Sequence, residues 1–189
     1  VLCDTDVLVT LPHEVFADGA AEAIKYGMLC DEALFHTLAS AGYHQQLEGV
    51  IERCVSIKAD ICAGDECDRG NRQLLNLGHT LGHAIERCSH YTMPHGHAVA
   101  VGMVYATRIA IGLGLCEPGC LPLLVEALQK NQLPTEAPYP MEALAEIALH
   151  DKKRAGDTLM FVLPLAIGQC KLVPVPVQRL PELAAMAAC

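Results

Sequence analysis

Residues Gly96 to Leu113, GHAVAVGMVYATRIAIGL, constrain the fold more than any other segment. At 3.6 residues per turn the segment is apolar on nearly every face, so a helix formed there has to be buried by other elements all round. Its longest unbroken apolar run, Ala98 to Ala106, meets Thr107 and Arg108, far short of the roughly 20 residues that a bilayer demands. The wrapping must therefore be protein. No basic stretch followed by an apolar core stands at the N-terminus, so no secretory signal is read there, and a soluble, cytoplasmic protein is expected. With 189 residues, 52% of them apolar and 19% charged, the chain has enough material for one large domain around such a helix.

The rest of the chain supplies candidates for the wrapping. Ala20, Ile24 and Met28, then Leu34 and Leu38, predict two short helices broken near Asp31. A stripe of Leu47, Val50, Ile51, Cys54, Val55 and Ile61 predicts a longer helix from Tyr43 to Ala63 that crosses the domain, and Gly64 to Arg72 follows as a polar loop. Leu74 to Cys88 repeats apolar residues at three- and four-residue steps and is expected to be helical throughout. Gly78 and Gly82 lie inside that stretch, where each costs roughly 1 kcal/mol relative to alanine. Being four apart they share one face, which predicts something packed or bound close to the backbone. Amphipathic patterns recur at Leu121 to Lys130 and Met141 to His150, TLMFVLP and GQCKLVPV pair as a hairpin, and Leu180 to Ala188 is helical. The expected class is mainly α, a multi-helix domain with a small β-hairpin near the C-terminus. The opening VLCDTDVLVTLP reads as a strand and linker beginning at Val1 with no starting point of its own, so a longer parent chain is expected.

A formal net charge of −9 argues against a nucleic-acid partner, which would require a positive face. The cations are nevertheless bunched at Lys25, at Lys58, at Arg69 with Arg72, and at Lys152, Lys153 and Arg154. Such islands either form surface salt bridges or line a pocket for a small anion. Ten cysteines are scattered without a repeating framework or a C-x-x-C pair, which suits reduced thiols; Cys116 and Cys120 alone share helical spacing, a weak zinc signal.

His79 and His83, one helical turn apart, and His95, at the start of the buried apolar helix, are placed where imidazoles could share a cation, although a hydrogen-bonded core histidine is the commoner outcome at any single position. The His79/His83 spacing matches zinc proteases, but Thr80 follows the first histidine where that chemistry needs a glutamate base. A catalytic metal commonly has three protein ligands and open positions beyond them. Glu22 is a candidate carboxylate, because a charge among the small residues of GAAEAIKYG is costly without a partner. Lys25, three residues on, suits a salt bridge with Glu22 or a functional lysine equally well, and spacing alone leaves both open. No G-x-G-x-x-G, P-loop or G-x-S-x-G motif occurs, so no residue is expected to cradle a nucleotide pyrophosphate.

Five segments in order resemble the 3-dehydroquinate synthase family. LLNLGHTLGHAIE (74–86) resembles its LNxGHTxGHAIE helix and PHGHAVAVGM (94–103) its HGEAVxxGM helix. LPHEVFADGAAEAIKYGML is similar to LPxREFxxGxAEVIKYG, SIKADICAGDECDRGNR to KAxVVxxDExExGxR, and DKKRAGDTLMFVLPLAIG to DKKxxxGxxxFVLLxxIG. Together they cover nearly the whole chain. The resemblance implies a two-domain enzyme in which residues 1–189 form the C-terminal helical metal- and substrate-binding domain, and an N-terminal NAD-binding α/β domain lies outside these residues. It further implies a soluble enzyme that is a homodimer when full length and needs NAD with Zn2+ or Co2+.

Carried over position by position, the family's metal ligands fall on Glu22, His79 and His95. Catalytic roles fall on Lys25, Lys58, Asp68 and His83, and substrate contacts on Lys25, Lys58, Arg72, Asn76, His83, Lys152 and Lys153. The implied reaction, in the shikimate pathway of aromatic amino-acid biosynthesis, converts 3-deoxy-arabino-heptulosonate 7-phosphate to 3-dehydroquinate and phosphate. In it, transient oxidation of a secondary alcohol by NAD acidifies a neighbouring C–H so that phosphate is eliminated; reduction, ring opening and aldol closure follow. Two positions depart from the pattern: His97 stands where the family usually has Glu, and His13 where it usually has Arg. The alternatives are a related sugar-phosphate cyclase, a metal-dependent polyol dehydrogenase, whose neutral pocket the cation islands disfavour, and a metal-binding helical module without turnover. The isolated chain is expected to bind metal but to be inactive.

Overall fold

The apolar segment forms α5 (His95–Gly112), and thirteen of its eighteen residues are buried. A computed structural model describes residues 3–40, 42–63, 65, 70–152 and 157–188, without the side chains of 150–152. Around α5 pack α1 (His13–Cys30), α4 (His79–Cys88), α6 (Cys120–Lys130), α8 (Leu180–Ala188) and the first strand of a hairpin. α2 (Glu32–Leu38) folds back on α1, and α7 (Met141–Lys152) lies across α4 and α8. The architecture is the expected mainly α domain with one hairpin. No helix among the described residues is long and apolar enough to cross a membrane.

The hairpin pairs β1 (Thr158–Ala166) with β2 (Gln169–Pro176) antiparallel through the two-residue turn Ile167–Gly168. Gly168 takes φ +76° there, a region that side chains with a Cβ rarely enter. β1 rests on α5 and β2 on α1, so Phe161, Val162 and Leu163 are buried in succession rather than alternately.

Three expectations need correction. The helix predicted from Leu74 begins only at His79: residues Asn71–Asn76 form a 3-10 turn, and Gly78 stands before α4 at φ +78°. That glycine is therefore a left-handed entry residue and not an interior one. The helix predicted from Tyr43 is a 3-10 turn at Tyr43–Gln46 followed by α3 (Leu47–Ala63), which lies at the periphery with Val50 and Ile57 as its buried residues and Val55 exposed. Its stripe is covered by α1 and by the 3-10 turns at Tyr43–Gln46 and Asn71–Asn76, not by a surround. The opening expected as a strand forms a 3-10 turn at Thr5–Thr10, because the Asp4 carboxylate accepts the Asp6 N–H and the Thr10 hydroxyl donates to the Val7 carbonyl.

The close approach predicted on the glycine face does occur, and its cause is α5. A Cβ built on Gly102 would lie 2.0 Å from the Gly78 carbonyl oxygen, and one on Gly82 3.2 Å from that of Ala98. Backbone meets backbone at this crossing. On the other side of α5, a Cβ on Gly96 would lie 2.0 Å from the Asp18 carbonyl oxygen of α1.

Asp31 closes α1 and starts α2. Its N–H donates to the Gly27 carbonyl at 3.2 Å, one carboxylate oxygen accepts the Leu34 N–H at 2.9 Å, and the other accepts from Arg53. Burial acts to raise its pKa, but the Leu34 N–H and the Arg53 guanidinium outweigh that and hold it below the ordinary value. A depressed folded-state pKa contributes stability that is present above the unfolded value and lost as pH falls through the folded one. Asp31→Ala is thus expected to lower the unfolding free energy by about 1 kcal/mol at neutral pH, with the deficit shrinking below about pH 4; an undiminished deficit in acid urea titrations would contradict this. Gly102→Ala should cost about 3 kcal/mol by forcing α4 and α5 apart, and wild-type urea stability in that variant would contradict the crossing.

Candidate metal centre

Three helices deliver one polar side chain each to the same point. α1 is laid against α5 by its buried face of Ala17, Ala21, Ile24 and Met28, which leaves Glu22 half-buried at the rim. The left-handed turn at Gly78 makes His79 the first residue of α4, and Pro94 does the same for His95 at the start of α5. The glycine crossing then sets the two imidazoles beside each other, with ring centroids 5.1 Å apart.

Glu22 Oε1 lies 3.7 Å from His79 Nε2 and 3.9 Å from His95 Nε2. All three donor atoms lie within 4.8 Å of one another. Neither separation is a hydrogen bond, and Oε1 is buried without a hydrogen-bonding partner. An unpaired buried carboxylate oxygen facing two imidazole nitrogens is costly unless a cation joins them. Ligands held about 2.0–2.1 Å from a tetrahedral zinc sit about 3.3 Å apart, so Glu22 Oε1 would need to close on each imidazole nitrogen by about half an ångström. Two nitrogens and a carboxylate with open space beyond suit a divalent cation of the zinc or cobalt type.

Each ligand is oriented from behind. His79 Nδ1 is 3.0 Å from the Leu77 carbonyl, an acceptor only, so the proton sits on Nδ1 and the Nε2 lone pair faces the site. Burial, with Lys25 nearby, lowers the His79 pKa to about 4 against the pull of Glu22, which leaves the imidazole neutral and able to ligate at physiological pH. The other Glu22 oxygen, Oε2, accepts from Lys25 Nζ at 2.7 Å. Lys25 is 3% exposed; burial lowers its pKa, Glu22 opposes that, and the charge of Lys58 on α3 adds to it.

The other predicted positions divide. His83, one turn past His79 with ring centroids 5.5 Å apart, is exposed at the mouth of the site. Asn76 shares with His79, Thr80, His83, Ala84, Ile147 and Ala148 a small cleft of about 120 Å3 next to the candidate metal centre. Arg72 is held at its backbone, whose N–H donates to Asp65 at 3.2 Å, and Lys58 is exposed on α3. Asp68, Arg69 and Lys153 lie outside the described residues, as does the side chain of Lys152. Of the two departures, His13 opens α1 on the surface, while both the N–H and Nδ1 of His97 meet Asp18 Oδ1, at 2.9 and 3.0 Å. Sequence reasoning gave Asp18 and Glu86 no role. Their signals were spacing, Asp18 one turn before Glu22 and Glu86 two turns after His79, each on its ligand's helix face.

The profile of the 3-dehydroquinate synthase C-terminal family matches residues 19–154. The 3-dehydroquinate synthase of Colwellia psychrerythraea is 43% identical over 182 residues, which span 91% of this chain and 51% of that protein. The enzyme of the same name from Thermosynechococcus vestitus is 38% identical over 193 residues, 95% of this chain and 52% of that protein. The chain thus spans about half the length of the curated relatives it matches. Among solved structures, 2-epi-5-epi-valiolone synthase from Streptomyces hygroscopicus, with NAD+ and Zn2+ bound, superimposes with a TM-score of 0.84 at 21% identity, over 98% of this chain and 54% of that one. A 2-deoxy-scyllo-inosose synthase complexed with carbaglucose-6-phosphate, NAD+ and Co2+ gives 0.78 at 24% identity, over 96% and 54%. At such identities the structures establish a shared fold.

Calorimetric titration of the chain with Zn2+ is expected to give one site, weakened by about 100-fold or more in Glu22→Gln or His79→Ala through loss of a ligand. Wild-type affinity in both variants would remove the centre.

Proposed function

The chain belongs to the 3-dehydroquinate synthase C-terminal family, and from that premise we propose that residues 1–189 are the metal- and substrate-binding domain of a 3-dehydroquinate synthase. The whole enzyme would convert 3-deoxy-arabino-heptulosonate 7-phosphate to 3-dehydroquinate and phosphate, with NAD carried by an N-terminal α/β domain outside these residues. The observation that carries the reading is the orphaned Glu22 Oε1 between two imidazole nitrogens. Glu22, His79 and His95 would hold Zn2+ or Co2+, which when bound lowers the pKa of coordinated substrate hydroxyls.

The chain's own residues then bind and orient an anionic sugar. Lys25, anchored to Glu22 by one of its three protons, keeps donors for a substrate oxygen beside the ligands. His83 and Asn76 line the adjoining cleft, and with Arg72 and Lys58 they suit the carboxylate and phosphate through charge-assisted hydrogen bonds. Asp68, Lys152 and Lys153 are assigned to the same work by motif alone. The chain has no glycine-rich dinucleotide loop, and no step involving NAD is assigned to its residues.

An exposed apolar area supports a further domain. Leu11, Val15 and Val55 are exposed at a cleft of about 290 Å3 that Leu8, α1 and α3 also line, and Val7 and Val9 of the same opening turn are exposed as well, a surface suited to burial against another part of a longer protein. Assembly of the full-length enzyme as a homodimer belongs to the same proposal. His97, in place of the usual glutamate, favours a second reading in which the substrate is that of a neighbouring sugar-phosphate cyclase.

Phosphate release from the heptulosonate phosphate by the full-length protein tests both. Activity should vanish with a chelator and fall at least about 100-fold in His79→Ala; full activity in that variant would sink the metal reading, and release from a different sugar phosphate alone would favour the second. The isolated 189 residues with NAD should release none.

A further inference from the structure

We propose that Glu86 is a positioning residue of the metal centre, fixing the tautomer of His95 from the side away from the ion; this rests on the metal reading above. Glu86 lies on α4, and its side chain is 16% exposed. Its Oε1 is 3.1 Å from His95 Nδ1, and its Oε2 is 4.0 Å from His83 Nε2. A carboxylate only accepts, so in the neutral imidazole the proton sits on Nδ1 and the lone pair is left on Nε2, the atom facing Glu22.

The two histidine ligands are therefore held in the same way by different means. His79 uses a backbone carbonyl, set by the turn at Leu77 and Gly78. His95 lies on another helix with a half-exposed ring, and among the described residues it is Glu86 that orients its Nδ1. The carboxylate also makes the imidazole a stronger donor to a cation, and such outer partners commonly govern affinity by about 10–100-fold. His83, Glu86 and His95 also bring three donor atoms within 4.8 Å, but the short Glu86 to His95 contact occupies Nδ1, the nitrogen a separate ion there would use.

The test uses the 189-residue chain, with Zn2+ affinity read by competition against a chromogenic chelator and the His95 tautomer read from 15N imidazole spectra of the metal-free protein. Glu86→Leu is expected to move His95 toward the Nε2–H form and to weaken Zn2+ binding by about 10–100-fold. Glu86→Gln, nearly isosteric and able to accept from Nδ1, should weaken it less, which keeps the proposal testable if the leucine variant does not fold. Wild-type affinity in Glu86→Gln and Glu86→Leu, with binding lost in Glu22→Gln, would overturn the role of Glu86 and leave the metal centre standing. Undiminished affinity in Glu22→Gln as well would overturn the centre and this inference together. Two zinc ions per chain, one lost in Glu86→Gln while the other keeps its full affinity, would overturn it in favour of a separate ion at His83, Glu86 and His95.

Discussion

The backbone contact between α4 and α5 is what the rest of the structure depends on. With Gly102 against the Gly78 carbonyl and Gly82 tight against Ala98, the two helices approach more closely than a side chain at 102 would allow. That approach sets the first residues of both helices, His79 and His95, ring beside ring. It also buries α5 on the side facing α4, which an apolar helix requires. The glycines cost conformational entropy, offset by packing along the two helices.

Glu22 divides its carboxylate between two tasks. Oε2 neutralises Lys25, a buried ammonium that would otherwise be expensive to hold at 3% exposure, and Oε1 is left to face the imidazoles. The cation of the lysine and the neutral state of His79 are linked through this group, since the positive charge of Lys25 adds to burial in keeping that imidazole unprotonated. One carboxylate oxygen and two imidazole nitrogens thus face one another, with a compensated lysine at their edge.

The departure at His97 has a local account. Its N–H is the third of α5, one of the amides with no partner inside the helix, and Asp18 of α1 accepts it together with the ring Nδ1. A glutamate at 97 would face that aspartate with like charge, whereas histidine offers it a donor. The tie between the two helices beside His95 runs from Asp18 on α1 to His97 on α5.

Much of the architecture was legible in the sequence because periodicity reports burial. The all-round apolar segment demanded a surrounding bundle, Asp31 marked the break between α1 and α2, and TLMFVLP with GQCKLVPV marked the hairpin. Motif identity named Glu22, His79 and His95 as ligands, but spacing could not bring together residues that lie 57 and 73 positions from Glu22 along the chain. The tertiary structure decided that convergence, along with the entry turn at Gly78, the peripheral place of α3, and the pairing of Glu86 with His95 and of Asp18 with His97. Each of these depends on which backbone another segment meets. A repeat along one helix records which face is buried, not what buries it.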